Sequence, residues 1–163
     1  MSRQSRQELL LELNRAVRLH QNAQDAFDDV ASQALGINRT DQRCMDLIDL
    51  NGSMTAGELA AAAGLSTGAV TTVLDRMERA GYVRRLRDTR DRRRILVELT
   101  DKARGRAWEI WGPIASEAVE LYAAYSDEQL QFLLDFLEEA QDFLARHRAR
   151  VEAMGAAPGE EQG

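Results

Sequence analysis

A single cysteine, two prolines and no long apolar run mark this 163-residue chain by what it has little of. One cysteine excludes an internal disulfide, which predicts a reducing, cytoplasmic setting. No segment approaches the roughly 18 uninterrupted apolar residues of a membrane span. Even the leucine-rich parts carry a charge every few positions. Two distant histidines, one cysteine and no glycine-rich phosphate loop leave neither a metal cluster nor a nucleophile with its base. The sequence therefore predicts no metal, no cofactor and no enzyme. Disorder is excluded as well, because 44% of the residues are hydrophobic.

The net charge of −6 hides an uneven division. Residues 1–83 carry 8 basic and 11 acidic side chains, and residues 95–163 carry 6 and 14. Between them, residues 84–94 carry seven arginines and two aspartates. A positive island in an acidic body is the footprint of a local polyanion site. The segment 109–144 is its opposite, with nine acids and no base, and forms a surface that DNA repels.

Apolar residues at spacings of three and four predict a helix over 7–35, stopped by Gly36. That is longer than its own small core needs, so its apolar face is expected to meet a second chain. Thr40 is read as the cap of the next helix, whose face holds Cys44, Leu47 and Ile48. A capping box at Thr55–Glu58 opens a short helix ending at Gly64, and Ser66 caps another running to Ala80. Segments 82–87 and 95–99 suit strands, with Ile95, Val97 and Leu99 facing one way, and 88–94 is the polar tip between them. Thr100 and Asp101 open a helix that Gly112-Pro113 is expected to kink or interrupt. Ser126 to Gln129 is a second capping box, followed by a leucine stripe from Leu130 to Leu144.

Short helix, glycine turn, longer helix and arginine-rich hairpin together read as a winged helix-turn-helix. The predicted fold is mainly α, with a small two- or three-stranded antiparallel wing and long N- and C-terminal dimerisation helices. Its divisions are 1–36 (N-terminal dimerisation helix), 37–100 (DNA-binding domain), 101–150 (C-terminal dimerisation helices) and 151–163 (disordered tail). On the second helix of the motif Ser66, Thr67, Gly68, Thr71, Thr72 and Arg76 lie opposite Val70, Val73, Leu74 and Met77. They are the residues expected to meet a major groove, where threonine offers a hydroxyl to phosphates or base edges and a methyl to thymine. Arginine in the wing suits phosphate and a narrow minor groove.

The run from Leu65 to Arg85, the wing Asp88-Thr-Arg-Asp-Arg-Arg93 and Leu99-Thr100 resemble the MarR family of bacterial winged-helix transcription regulators. The resemblance implies that residues 66–76 enter the major groove and that Arg90 reaches the minor groove. It implies that Asp88 orients the wing arginines, Arg92 and Arg93 among them, and that the protein is a homodimer on double-stranded DNA. Members often have arginine or lysine where Thr72 stands and serine or threonine where Gly68 and Ala69 stand. These departures move affinity toward the wing and the phosphates. The expected activity is that of a ligand-responsive repressor on a pseudo-palindromic operator. A winged-helix module docking an acidic protein partner, and a regulator without ligand control, are the alternatives.

His20, read on the buried side of the first helix, and Trp108 and Trp111, one turn apart, resemble the lining of a pocket for a small aromatic effector; packing explains them equally well. Cys44 reads as an inert core residue, since no second cysteine resolves an oxidised form. His147 among arginines reads as a solvated helix end.

Overall fold

The computed structural model describes residues 5–155, which hold six helices and three short strands. They are α1 (Arg6–Leu35), α2 (Arg39–Asn51), β1 (Met54–Thr55), α3 (Ala56–Ala63), α4 (Thr67–Arg79), β2 (Val83–Arg87), β3 (Ile95–Leu99), α5 (Asp101–Tyr122) and α6 (Asp127–Gly155). The described residues form two units that divide after Pro113, within α5.

In the first unit, Cys44, Met45 and Ile48 of α2, Leu59 of α3, Val70, Val73, Leu74 and Met77 of α4, and Val97 and Leu99 of β3 build one core. The sheet is antiparallel in the order β1-β3-β2, with Met54 opposite Val97 and Val83 opposite Leu99. Val97 and Leu99 point into the core as the alternation predicts. Ile95 is half exposed because the end of β3 that it begins runs out past the core into the wing. Tyr82 lies just before β2; its hydroxyl donates 2.7 Å to the Leu35 carbonyl, tying the end of α1 to the core.

Both predicted capping boxes are present. Thr55 accepts from the Glu58 amide at 3.2 Å while Glu58 accepts from the Thr55 amide at 2.7 Å. Gln129 and Ser126 do the same at 3.3 and 2.9 Å. Each satisfies two amides that a helix start leaves free, a contribution of about 1 kcal/mol. Gly36 and Gly64 hold the left-handed conformation that stops α1 and α3, at φ 69° and 65°.

Three expectations need correction. The cap of α2 is Asn38, whose side chain accepts from the Asp41 amide at 2.9 Å; Thr40 is already inside the helix. Of the two outcomes expected at Gly112-Pro113, interruption is the one that does not occur: α5 stays helical from Asp101 to Tyr122 with Pro113 inside it. Residues 151–155, expected in the tail, continue α6, and the remainder of that tail lies outside the described residues.

The helix α1 is buried only at Ala31, Ser32 and Leu35, in its last turns. There Arg39 reaches Asp25, Asp28 and Asp29 at 3.0, 2.8 and 3.2 Å, and Gln42 donates to Asp28 at 3.0 Å. From residue 5 to 27 α1 is exposed throughout, including Leu9, Leu10, Leu13 and Val17. In the second unit α6 likewise exposes Phe132, Leu134, Leu137, Phe143 and Leu144.

Candidate nucleic-acid interface

Amphipathicity seats α4. Val70, Val73, Leu74 and Met77 fall at helical spacing and are buried, which leaves Ser66, Thr67, Gly68, Thr71 and Thr72 exposed on the opposite face. Ser66 caps the helix, its hydroxyl accepting from the Ala69 amide at 3.2 Å. Gly64 and Leu65 supply the short turn after α3. Five of the six residues predicted for the recognition surface therefore share one open face.

The sixth, Arg76, is half-buried and its guanidinium is engaged by a buried carboxylate. Its Nε donates to Asp41 Oδ2 at 2.7 Å, and its Nη2 binds the other carboxylate oxygen. Asp41 is fully buried, and a buried carboxylate needs a cation with two matched donors. This fork joins the start of α2 to α4. Asp41 raises the Arg76 pKa chiefly through that hydrogen bond. Sequence reading missed the partner because 35 residues separate the two, and no local pattern links them.

The seven wing arginines divide into two groups. Arg84 pairs with Glu98, Arg85 with Asp75 and Glu78 of α4, and Arg94 with Glu58 of α3 at 2.6 Å. Arg84 joins the two strands of the hairpin, and Arg85 and Arg94 fasten it to both helices of the motif. Arg87, Arg90, Arg92 and Arg93 are exposed and make no ion pair among the described residues. The free charges thus include all three of the wing arginines predicted for DNA.

Asp88 acts on the backbone and, of the wing guanidinium groups it is expected to orient, lies 4.0 Å from that of Arg94, with no ion pair to Arg92 or Arg93 among the described residues. Its Oδ1 accepts from the Arg90 amide at 2.7 Å, and Asp91 accepts from the Arg93 amide at 3.0 Å. The Asp88 and Arg94 backbones close the loop at 3.0 Å. Two short acids shape the tip through turns of the kind aspartate favours, leaving the cations outward. The Arg90 amide, with help from the Asp91 amide and nearby arginines, holds the Asp88 carboxyl below its ordinary pKa.

The structure does not gather the expected effector residues. His20 is exposed on α1 and not on a buried side. Trp108 is 69% exposed, lying over Gly112, where an added Cβ would come within 2.9 Å of its indole. Trp111 alone is packed, edge-on to Phe27 with ring centroids 6.2 Å apart. Cys44 has no exposed surface, and burial pushes its thiol pKa up. No group of three or more His, Cys, Asp or Glu that could hold a metal ion occurs among the described residues, and no helix there is long and apolar enough to cross a membrane.

Comparison with known proteins places this geometry. The model of the MarR family matches residues 37–95, from the start of α2 to the far side of the wing. The chain is 36% identical over 125 residues to the HTH-type transcriptional regulator YcgE of Bacillus subtilis (strain 168), covering 77% of this chain and 81% of that protein. It is 32% identical over 119 residues to the HTH-type transcriptional regulator FarR of Neisseria gonorrhoeae, covering 69% of this chain and 77% of the relative. The fold matches apo wild-type MarR from E. coli with a TM-score of 0.55 at 22% identity, over 78% of this chain and 96% of that one. By its relatives, its fold and its wing, the chain belongs to the MarR family of DNA-binding transcriptional regulators.

Proposed function

We infer that this regulator acts as a homodimer on a pseudo-palindromic operator, as a repressor whose DNA affinity falls when a small aromatic effector binds. The observation that carries the reading is the set of four unpaired guanidinium groups at a wing tip whose acids accept from backbone amides and, at Asp88, also face Arg94. In this reading residues 66–72 of α4 enter the major groove, as five members of one exposed face. Arg90 reaches the adjoining minor groove, where a narrow width concentrates negative potential. Arg87, Arg92 and Arg93 meet phosphates. The reading gives Arg76 no part in base recognition, because Asp41 holds its guanidinium.

Dimerisation is supported by the uncovered apolar residues of α1 and α6, which single-chain packing leaves in water. A twofold pair presents two recognition helices to successive major grooves, about 34 Å apart, and so favours a palindromic site. Effector control is supported by the exposed Trp108 and by the edge-on packing of Trp111 of α5 on Phe27 of α1. A ligand bound among these aromatics would shift the end of α1 that Tyr82 and Arg39 fasten to the reading head.

Gel shifts against duplexes from the protein's own promoter region and from random pools test the reading, at ~50 mM salt, where release of counterions favours binding. Arg90→Ala is expected to weaken the shift and to lower the salt slope by about one unit for each phosphate that a subunit no longer neutralises. An unchanged affinity and slope would remove the wing from the interface. Failure to shift any duplex would favour the docking of an acidic protein partner.

A further inference from the structure

The centre of the recognition face is poor in hydrogen-bond donors, whereas the Ser66 and Thr67 hydroxyls at its amino end donate to nothing among the described residues. At its centre Thr71 Oγ1 donates to the Thr67 carbonyl at 2.9 Å, and Thr72 Oγ1 donates to the Gly68 carbonyl at 3.1 Å. With those protons turned back onto the helix, each threonine offers outward a methyl group and an accepting oxygen. Arg76 is held by Asp41, and Asp75 is paired with Arg85 at 2.6 Å. No Asn, Gln or Lys occurs in α4. Arg79 shares the face but ends the helix, about 18 Å along the axis from Thr67, and its Nε is folded onto the Asp75 carbonyl at 3.1 Å. Because base edges are met by the N-terminal part of a recognition helix, Arg79 falls among phosphates.

This inventory selects among bases. Guanine shows the major groove two acceptors, N7 and O6, and its readout requires donors. An A·T pair shows the thymine methyl, an apolar surface that no G·C pair has; its adenine amino donor has a counterpart in the cytosine amino group, so the methyl carries the discrimination. Gly68 adds an independent indication. Glycine is a weaker helix former than alanine, by up to about 1 kcal/mol in a helix interior and less in the first turn where Gly68 stands, yet a Cβ at Gly68 would meet nothing within 4 Å in this chain. Packing within the chain gives no reason for its small size, whereas close approach to the floor of a groove does.

We propose that α4 reads A·T pairs, packing thymine methyls against Thr71 and Thr72 and accepting from adenine amino groups, and that its central face does not read guanine. The proposal rests on the DNA-binding reading and adds the base chemistry to it.

The experiment begins with selection of 30-base-pair duplexes from a random pool by the full-length protein, followed by affinity measurements on modified copies of the selected duplex. Replacing thymine by uracil deletes only the major-groove methyl and leaves the minor groove unaltered. Deleting a methyl that packs on the helix is expected to weaken binding about fourfold, the effect of exposing one carbon group. Replacing guanine by 7-deazaguanine removes the N7 acceptor and is expected to change nothing. Thr71→Ser keeps the hydroxyl and deletes the methyl, so it should bind thymine and uracil duplexes alike at its position while melting like the parent. Thr72→Arg should acquire a guanine preference. A selected site in which 7-deazaguanine costs tenfold and uracil nothing would overturn the proposal while leaving DNA binding intact. A folded protein that enriches no duplex would overturn both.

Discussion

Cys44 and Asp88 show how one residue's surroundings set its chemistry. Cys44 sits at zero exposure among Met45, Ile48 and Val70, and burial, reinforced by Asp41 and opposed by Arg43 and Arg76, raises its thiol pKa. A thiol shifted upward favours the folded state below its ordinary pKa, and that contribution is lost as pH rises through the folded value. A thiol-specific disulfide reagent is expected to label native protein at least about tenfold more slowly than denatured protein, because the thiolate and access to it are both suppressed. Equal rates, followed by absorbance, would overturn the assignment of Cys44 to the core. Asp88 shifts the other way, mainly through the Arg90 amide. Its contribution is present above the ordinary carboxylate pKa and is lost as pH falls through the lower folded value. The wing should therefore keep its shape across neutral pH. Asp88→Ala is expected to weaken DNA binding several-fold with an unchanged melting temperature, since the loop it shapes lies outside the core.

Among the elements, α4 carries two duties on two faces, and the Asp41–Arg76 fork sits where they meet. Removing Arg76 strands a buried carboxylate. Arg76→Ala is expected to cost about 3 kcal/mol by urea denaturation, whereas Arg92→Ala, which breaks no pair, should stay within about 0.5 kcal/mol. Replacing both members of the fork by apolar residues of similar volume should recover much of the loss, since the penalty lies in the unpaired charge. If Arg76→Ala left stability untouched, the fork would not be what seats the helix. The same division runs through the hairpin, where Arg84, Arg85 and Arg94 are paired and the remaining four arginines stay free.

Along the whole chain, basic and acidic residues are concentrated in different segments, and α6 carries acids and uncovered apolar residues together. Guanidinium groups cluster at the wing, nine acids occupy 109–144, and the uncovered leucines lie on α1 and α6. A homodimer predicts that Leu13→Asp, together with Leu137→Asp, lowers the mass measured by light scattering from two chains to one and weakens DNA binding, because the two half-sites lose their coupling. A monomeric parent protein would remove the basis for a palindromic operator. Trp108 and Trp111 are the only tryptophans, so intrinsic fluorescence reports on the proposed effector site directly. An aromatic compound that releases DNA should also quench or shift that emission. Release with unchanged emission would place the effector elsewhere.

Much of this was legible in the sequence because it is local. Capping boxes, glycine stops, the 3.6-residue apolar period of α4 and the density of arginine in 84–94 need only near neighbours to act, and each predicted its element. Which arginines are free was not legible. Seven look alike in the sequence, and only the packing of α3 and α4 against the hairpin and the pairing of β2 with β3 within it supply Glu58, Asp75, Glu78 and Glu98 to three of them. The withdrawal of Arg76 to Asp41 and the exposure of His20 are likewise decided in three dimensions. A charge is committed or free according to which distant carboxylate the fold brings within hydrogen-bond reach, and chain order does not encode that distance.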